Sequence, residues 1–250
     1  VSCASIVAAM GGMSGSFEVN TATNLNYYLH NNDDWNITAN DNVGVASIVY
    51  TVSGVTTVVN GSNTTLNGQH FEIGTTTVTW TVTDVSGRTS DCSFNVVVND
   101  NEPPCIGCDP TDPDDPFNPN DPQGISCESI VAGMQGVNGT VSVGTSDNVN
   151  YYIHYNSGED GNWDITANDN VGIASIVCNL SGATIATGLT TLNEQHFNIG
   201  TTTVTWVVTD VSTPPNTTTC SFTVIVSDDE PPCIECDPDP SNPDPFNPNT

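Results

Sequence analysis

The chain has 250 residues, of which 29 are acidic and one, Arg88, is basic, for a formal charge of −28 at pH 7. With no cationic patch to neutralise phosphates, nucleic acid and anionic membrane surfaces are excluded as partners, and cations are the natural counterparts. Hydrophobic residues make up 36% of the chain, fall in regular patterns and never run 18 in a row, so the sequence reads as packed domains with no membrane span.

The chain begins at Val1 without a methionine, which reads as a processed protein or an excised piece of a longer one. No segment carries a convincing period of 3.6. From Trp35, "WNITANDNVGVASIV" runs from an Asp-Asn turn into a strand with Ile48, Tyr50 and Val52 on one face. In "FEIGTTTVTWTVTD", Val78, Trp80 and Val82 alternate with Thr77, Thr79, Thr81 and Thr83, a period of two that predicts a strand with one apolar and one hydroxyl face. "CSFNVVVND" repeats the alternation with Phe94, Val96 and Val98. Then come "NDNEPP", a Cys-x-x-Cys ("CIGC") and the run "DPTDPDDPFNPNDP".

Everything then recurs. "VSCASIVAAM" at Val1 returns as "ISCESIVAGM" at Ile125, "WNITANDNVGVASIV" as "WDITANDNVGIASIV" at Trp163, and "FEIGTTTVTW" as "FNIGTTTVTW" at Phe197. Short strands separated by Gly, Asn and Asp turns suit a two-sheet sandwich, so the expected fold is all-β, two tandem immunoglobulin-like β-sandwich modules joined by an extended linker. The modules are placed at 1–104 and 125–232, the Cys-x-x-Cys plus Asp/Pro linkers at 105–124 and 233–250. Proline every two or three residues removes backbone donors and holds the chain extended, so the linkers read as semi-rigid spacers.

"FEIGTTTVTWTVTDVSGRTSDCSFNVVVNDNEPP" and its second copy resemble the hyalin repeat, an extracellular immunoglobulin-like module. The likeness lies in a Gly-Thr strand, a Thr-Asp turn, a Cys-x-Phe strand and an acidic Pro-Pro exit. It implies an adhesive or structural role in tandem arrays at cell surfaces. "NDNEPP" also resembles the calcium-binding linkers of cadherin-type repeats. Calcium takes six to eight hard oxygen ligands. The candidates are Asp41, Asn42, Asp84, Asp100, Asn101 and Glu102 in the first copy, and Asp169, Asn170, Asp210, Asp228, Asp229 and Glu230 in the second; the alternative is that they only cap turns.

Nine cysteines divide as four per repeat plus Cys178. Repeated positions imply a disulfide framework and an oxidising, extracellular or cell-surface location. Cys3 with Cys92 and Cys127 with Cys220 are expected to join the first strand of each module to its last. Cys105 with Cys108 and Cys233 with Cys236 are read as short-loop disulfides that stiffen each exit, ahead of a metal or redox role. Cys178 replaces Tyr50 on an inward face and reads as a buried thiol.

Six sequons begin at Asn36, Asn60, Asn63, Asn138, Asn179 and Asn216, making covalent glycans expected. Phe117 and Phe246, one per linker, are candidate assembly contacts. His30, His70, His154 and His196 fall at equivalent repeat positions and read as structural. No nucleophile elbow, phosphate loop or paired metal-binding histidine motif appears, so no catalysis is expected. The reading is a structural repeat of an extracellular fibre or stalk, meeting copies of itself or further repeats head to tail. The alternative is a carbohydrate- or protein-binding adhesin module, with Tyr27, Tyr28, Tyr151, Tyr152, Trp35 and Trp163 exposed to stack on sugar.

Overall fold

The structure is a computed structural model, and it describes residues 1–112, 116–118, 120, 124–147, 149–158 and 161–231. It falls into two units: Val1–Glu102 with Val211–Asn216, and Pro103–Asp210 with the chain from Thr217 onward. Each is built around one long antiparallel pair.

In the first unit, β5 (Gly74–Asp84) pairs with β6 (Thr89–Asn99) in a register that sets Val78 opposite Phe94 and Trp80 opposite Cys92. β3 (Val45–Gly54) adds antiparallel to the free side of β5, and β1 (Ser16–Asn20) adds parallel to β6, giving the order β1-β6-β5-β3. A separate antiparallel pair forms from β2 (Tyr27–His30) and β4 (Gln69–Glu72). Strict alternation puts Thr76, Val78 and Trp80 inside, all at 0% exposure, with Phe17, Trp35, Leu66, Phe71, Phe94, Val96 and Val98 packed around them. The period of two in the sequence is thus a core stripe.

The second unit repeats the plan with β8 (Thr140–Gly144), β9 (Tyr151–His154), β11 (Ile173–Gly182), β13 (Gln195–Asn198), β14 (Gly200–Asp210) and β15 (Thr217–Ser227). Two elements are additions: β12 (Ala186–Leu189) on the edge of β11, and the short pair of β7 (Cys105–Ile106) with β10 (Ala167–Asn168). One substitution accompanies the new edge strand. In the first unit the Tyr50 hydroxyl donates to Oε1 of buried Gln69, whose amide holds Val58 O and Asn60 Oδ1 and so ties down the loop after β3. Cys178 stands in the place of Tyr50 and lacks that hydroxyl, and there the loop carries β12 instead. Gly54, at φ +105 in the bend after β3, has Thr75 O where a Cβ would stand, so glycine is required.

The start of each unit differs from the sequence reading. Each unit opens with a short helix, α1 (Cys3–Ala9) and α2 (Cys127–Gly133), so Cys3 and Cys127 lie on helices rather than on a first strand. Ser2 accepts from Ser5 N while Ser5 Oγ accepts from Ser2 N, a reciprocal cap repeated by Ser126 and Ser129. Seven residues are too few to hold a helix alone. Burial of Cys3, Ile6 and Val7, and the Cys3–Cys92 bridge to β6, hold α1; Cys127–Cys220 does the same for α2.

That bridge closes a loop with a sequence separation of 89, and the chain-entropy argument gives it about 4 kcal/mol. Replacing Cys3 and Cys92 together by serine should lower the unfolding free energy of the first unit by that amount in urea titration; an unchanged midpoint would remove the bridge from the stability account.

Candidate functional site

The acidic turns hold themselves first. Asp41 Oδ1 accepts from Val43 N (2.8 Å) and Gly44 N (3.1 Å), and these donors draw its carboxyl below the usual range. Asp84 Oδ1 accepts from Ser86 N (2.7 Å) and Arg88 N (2.9 Å). Asp100 Oδ1 accepts from Thr21 Oγ1 and Glu102 N, both at 3.3 Å, and Glu102 Oε2 accepts from Asn24 N. In the second unit Asp169 Oδ1 accepts from Val171 N (3.0 Å) and Gly172 N (3.2 Å), and Asp228 Oδ1 from Glu230 N. The local contacts of Asp41, Asp84, Asp100, Asp169 and Asp228 are Asx turns, which short acidic side chains form unaided, whereas Thr21 to Asp100 and Asn24 to Glu102 are long-range contacts.

Burial separates some of these acids from the rest. Asp41, Asn42, Asn101, Asp228, Asp229 and Glu230 are exposed, whereas Asp100, Asp169 and Asp210 are 8%, 7% and 1% exposed. Within the second unit, Asp169 and Asp210 offer carboxylate oxygens within 4.8 Å of each other. Desolvated anions require a compensating charge. The chain's one cationic side chain, Arg88, is exposed. Donors of this chemistry fit a hard divalent cation. Asp228 and Glu230 stand elsewhere, lining an open cleft of the second unit with Tyr151 and Ile199.

The Cys-x-x-Cys segment is no free tether. Cys105 and Cys108 are bridged, Cys105–Ile106 pairs antiparallel with Ala167–Asn168, and Gly107 N donates to Thr166 O (2.8 Å). Ile106 packs on the core of the second unit and Cys108 is 0% exposed. Asn168 Nδ2 donates to Pro116 O (2.9 Å), so part of the Asp/Pro run is held as well. Phe117 is half-buried beside this knot, its carbonyl oxygen 3.7 Å from Cys105 Sγ. Cys233, Cys236 and Phe246 lie outside the described residues.

The HYR domain family matches residues 34–98 and 163–226, together just over half of the chain. The chain belongs to the HYR domain family. HYR domains are extracellular repeat modules, and the match begins at residue 34, so it takes in the Asp-Asn turn as well as the Gly-Thr and Cys-x-Phe strands. No curated protein matches the chain. Among solved structures it is similar to a protocadherin gammaB7 EC3-6 cis-dimer, 16% identical, covering 88% of this chain and 48% of that one with a TM-score of 0.30. Drosophila N-cadherin EC1-4 is 11% identical over 72% of this chain and 41% of that one, TM-score 0.29. The Clostridium thermocellum CbhA fibronectin(III)-like modules are 12% identical over 76% and 83%, TM-score 0.26. The chain spans about half the length of the protocadherin it matches.

The aromatic residues of the HYR units do not make a sugar platform. Trp35 and Trp163 are each 1% exposed and Tyr152 is 8% exposed, contrary to the expectation of exposed rings; they are core. Tyr27 and Tyr151 have one face covered by His70 and His196, at ring separations of 4.4 and 4.5 Å. His30 and His154 are fully buried and stack on Trp35 and Trp163 at 3.8 and 3.9 Å. Cys178 is a free, buried thiol pushed up to about 12 by burial, which leaves it protonated and inert.

The sequons divide by geometry. Asn36 Nδ2 donates to Asp33 Oδ1 (2.8 Å) and Thr65 Oγ1 (3.0 Å), and its Oδ1 accepts from Leu66 N; Asp164 holds Thr191 and Leu192 in the same way in the second unit. Asn60 Oδ1 accepts from Gln69 Nε2 and His70 N, Asn179 Oδ1 on β11 accepts from Gly188 N on β12, and Asn216 Nδ2 donates to Ser212 Oγ. Asn63 and Asn138 are exposed on turns.

Burial against Trp35 lowers the His30 pKa, outweighing the pull of Asp34 3.3 Å away. A histidine whose folded pKa lies below its unfolded value of about 6.5 gives full stability above that pH and loses it as the pH falls through 6.5. The first unit should therefore melt earlier at pH 5 than at pH 7.5, and an NMR titration should place the His30 midpoint below 6.5; a midpoint above it contradicts the packing argument.

Proposed function

We propose that the chain is a non-catalytic structural repeat of an extracellular fibre or cell-surface stalk, meeting copies of itself head to tail, glycosylated and stiffened by disulfides and calcium. The observation that carries the reading is the Cys105–Cys108 knot: the segment that follows one HYR unit in sequence folds as a piece of the next. A linker built into the following unit makes a stiff array from repeats that each have a core of their own. Catalysis has no place in this account: His30 and His154 are buried against Trp35 and Trp163, and His70 and His196 stack on Tyr27 and Tyr151.

Calcium enters as the counter-charge for the buried acids. Asp169 and Asp210 would hold it in the second unit, with oxygens in reach of one cation, and Asp100 is a third buried carboxylate, in the first unit. Bound there, the ion would take hard carboxylate oxygens as ligands, the donor type calcium prefers. The adhesin alternative loses its tryptophans to the core and keeps the cleft beside Tyr151.

At a hundredfold excess over its dissociation constant, calcium should raise the melting midpoint by roughly 10 °C, the shift expected of about 2.7 kcal/mol in a domain of this size. Asp210→Asn should abolish most of that rise. A calcium titration that leaves the melting curve unmoved would end the calcium reading.

Glycans belong on the exposed turns. Peptide mapping of native material should find sugar at Asn63 and Asn138 before Asn36, whose amide nitrogen is committed to Asp33 and Thr65. An intact mass equal to the bare 26.2 kDa would refute glycosylation.

A further inference from the structure

The two HYR units are copies of one sequence, yet the edge that the Cys-x-x-Cys knot closes in the second has no strand partner in the first among the described residues. The counterparts of Thr166, Ala167 and Asn168 are Thr38, Ala39 and Asn40, and among the described residues no strand pairs with Ala39–Asn40. Side-chain burial follows the same division. Ile165, Ala167 and Val208 are 7%, 8% and 0% exposed, while Ile37, Ala39 and Val82 are only partly buried. An unpaired edge beside part-exposed apolar groups is a template for strand addition.

We propose that the Ala39–Asn40 edge of the first unit receives the Cys233–Cys236 segment of a second copy of this chain. The occupant follows from the chain itself. "CIGC" is the segment seated on the equivalent edge of the second unit, and "CIEC" repeats it at Cys233, Ile234 and Cys236. The same Pro-Phe-Asn-Pro run follows each. Ile234 takes the place that Ile106 holds against the core, and Asn40 the place of Asn168, which grips the carbonyl of Pro116. A short loop bridged as Cys105–Cys108 is would lose little freedom on docking, which favours a joint of few residues. The joint rests on the head-to-tail reading given above and names its contact.

One difference tunes the joint. Gly107 adopts φ +83, and Glu235 stands at its position in the second segment. A left-handed backbone penalises a side chain, so Glu235→Gly should tighten self-association roughly fivefold or more.

The test is sedimentation velocity of the whole oxidised chain over a wide concentration range, with Ala39→Asp and Ile234→Asp as variants and circular dichroism to show both remain folded. The wild type should form chains that lengthen with concentration, and each variant alone should stay monomeric. An equimolar mixture of the two variants should form one-to-one dimers and nothing longer, since one keeps a working segment and the other a working edge. Wild-type chains that persist undiminished in either variant would overturn this joint while leaving the array reading standing. A wild type that is monomeric at every concentration would overturn both.

Discussion

Each unit hangs from one pairing, β5 with β6 and β14 with β15. The register that sets Trp80 opposite Cys92 does two jobs: it puts the indole in the core, and it aims the next strand's sulfur at the helix that covers that core. β3 and β1 then attach to the two outer edges of the same pair. Shifting the register by one residue would turn Thr77, Thr79 and Thr81 inward and Val78 and Trp80 to solvent. The threonine-rich face is therefore the exposed remainder of a pattern written for the opposite side.

The sheets were legible because their signal is local and long. Seven residues of strict alternation in β5, Thr77 to Thr83, leave little room for another reading, and the exact recurrence of "GTTTVTW" makes the duplication plain. The helices were not legible, since Cys3, Ile6 and Val7 give only one turn of spacing and their stability comes from burial and a disulfide 89 residues away. The tryptophans were misread for a related reason. "DWN" sits among polar residues, and nothing local shows that Phe17, Tyr28, His30 and Phe94 close around Trp35.

The Cys-x-x-Cys knot shows where composition misleads. A segment of prolines and aspartates reads as solvated spacer, yet one isoleucine, a two-residue pairing and a buried disulfide seat its first part on a sandwich. The acidic turns show the converse. Asp41 and Asp169 make the same Asx turn from the same sequence, but one is exposed and the other buried, so desolvation falls on only some of the copies.

Sequence pattern, disulfides and knot together describe a unit whose edge is completed by the segment that follows another unit. The most direct measurement of that claim is an electron cryomicroscopy map of the native assembled material. The account predicts density for a bridged Cys-Ile-Glu-Cys segment lying antiparallel along Ala39–Asn40 of the neighbouring copy. A map in which copies meet through other surfaces and Ala39–Asn40 is bare would contradict it.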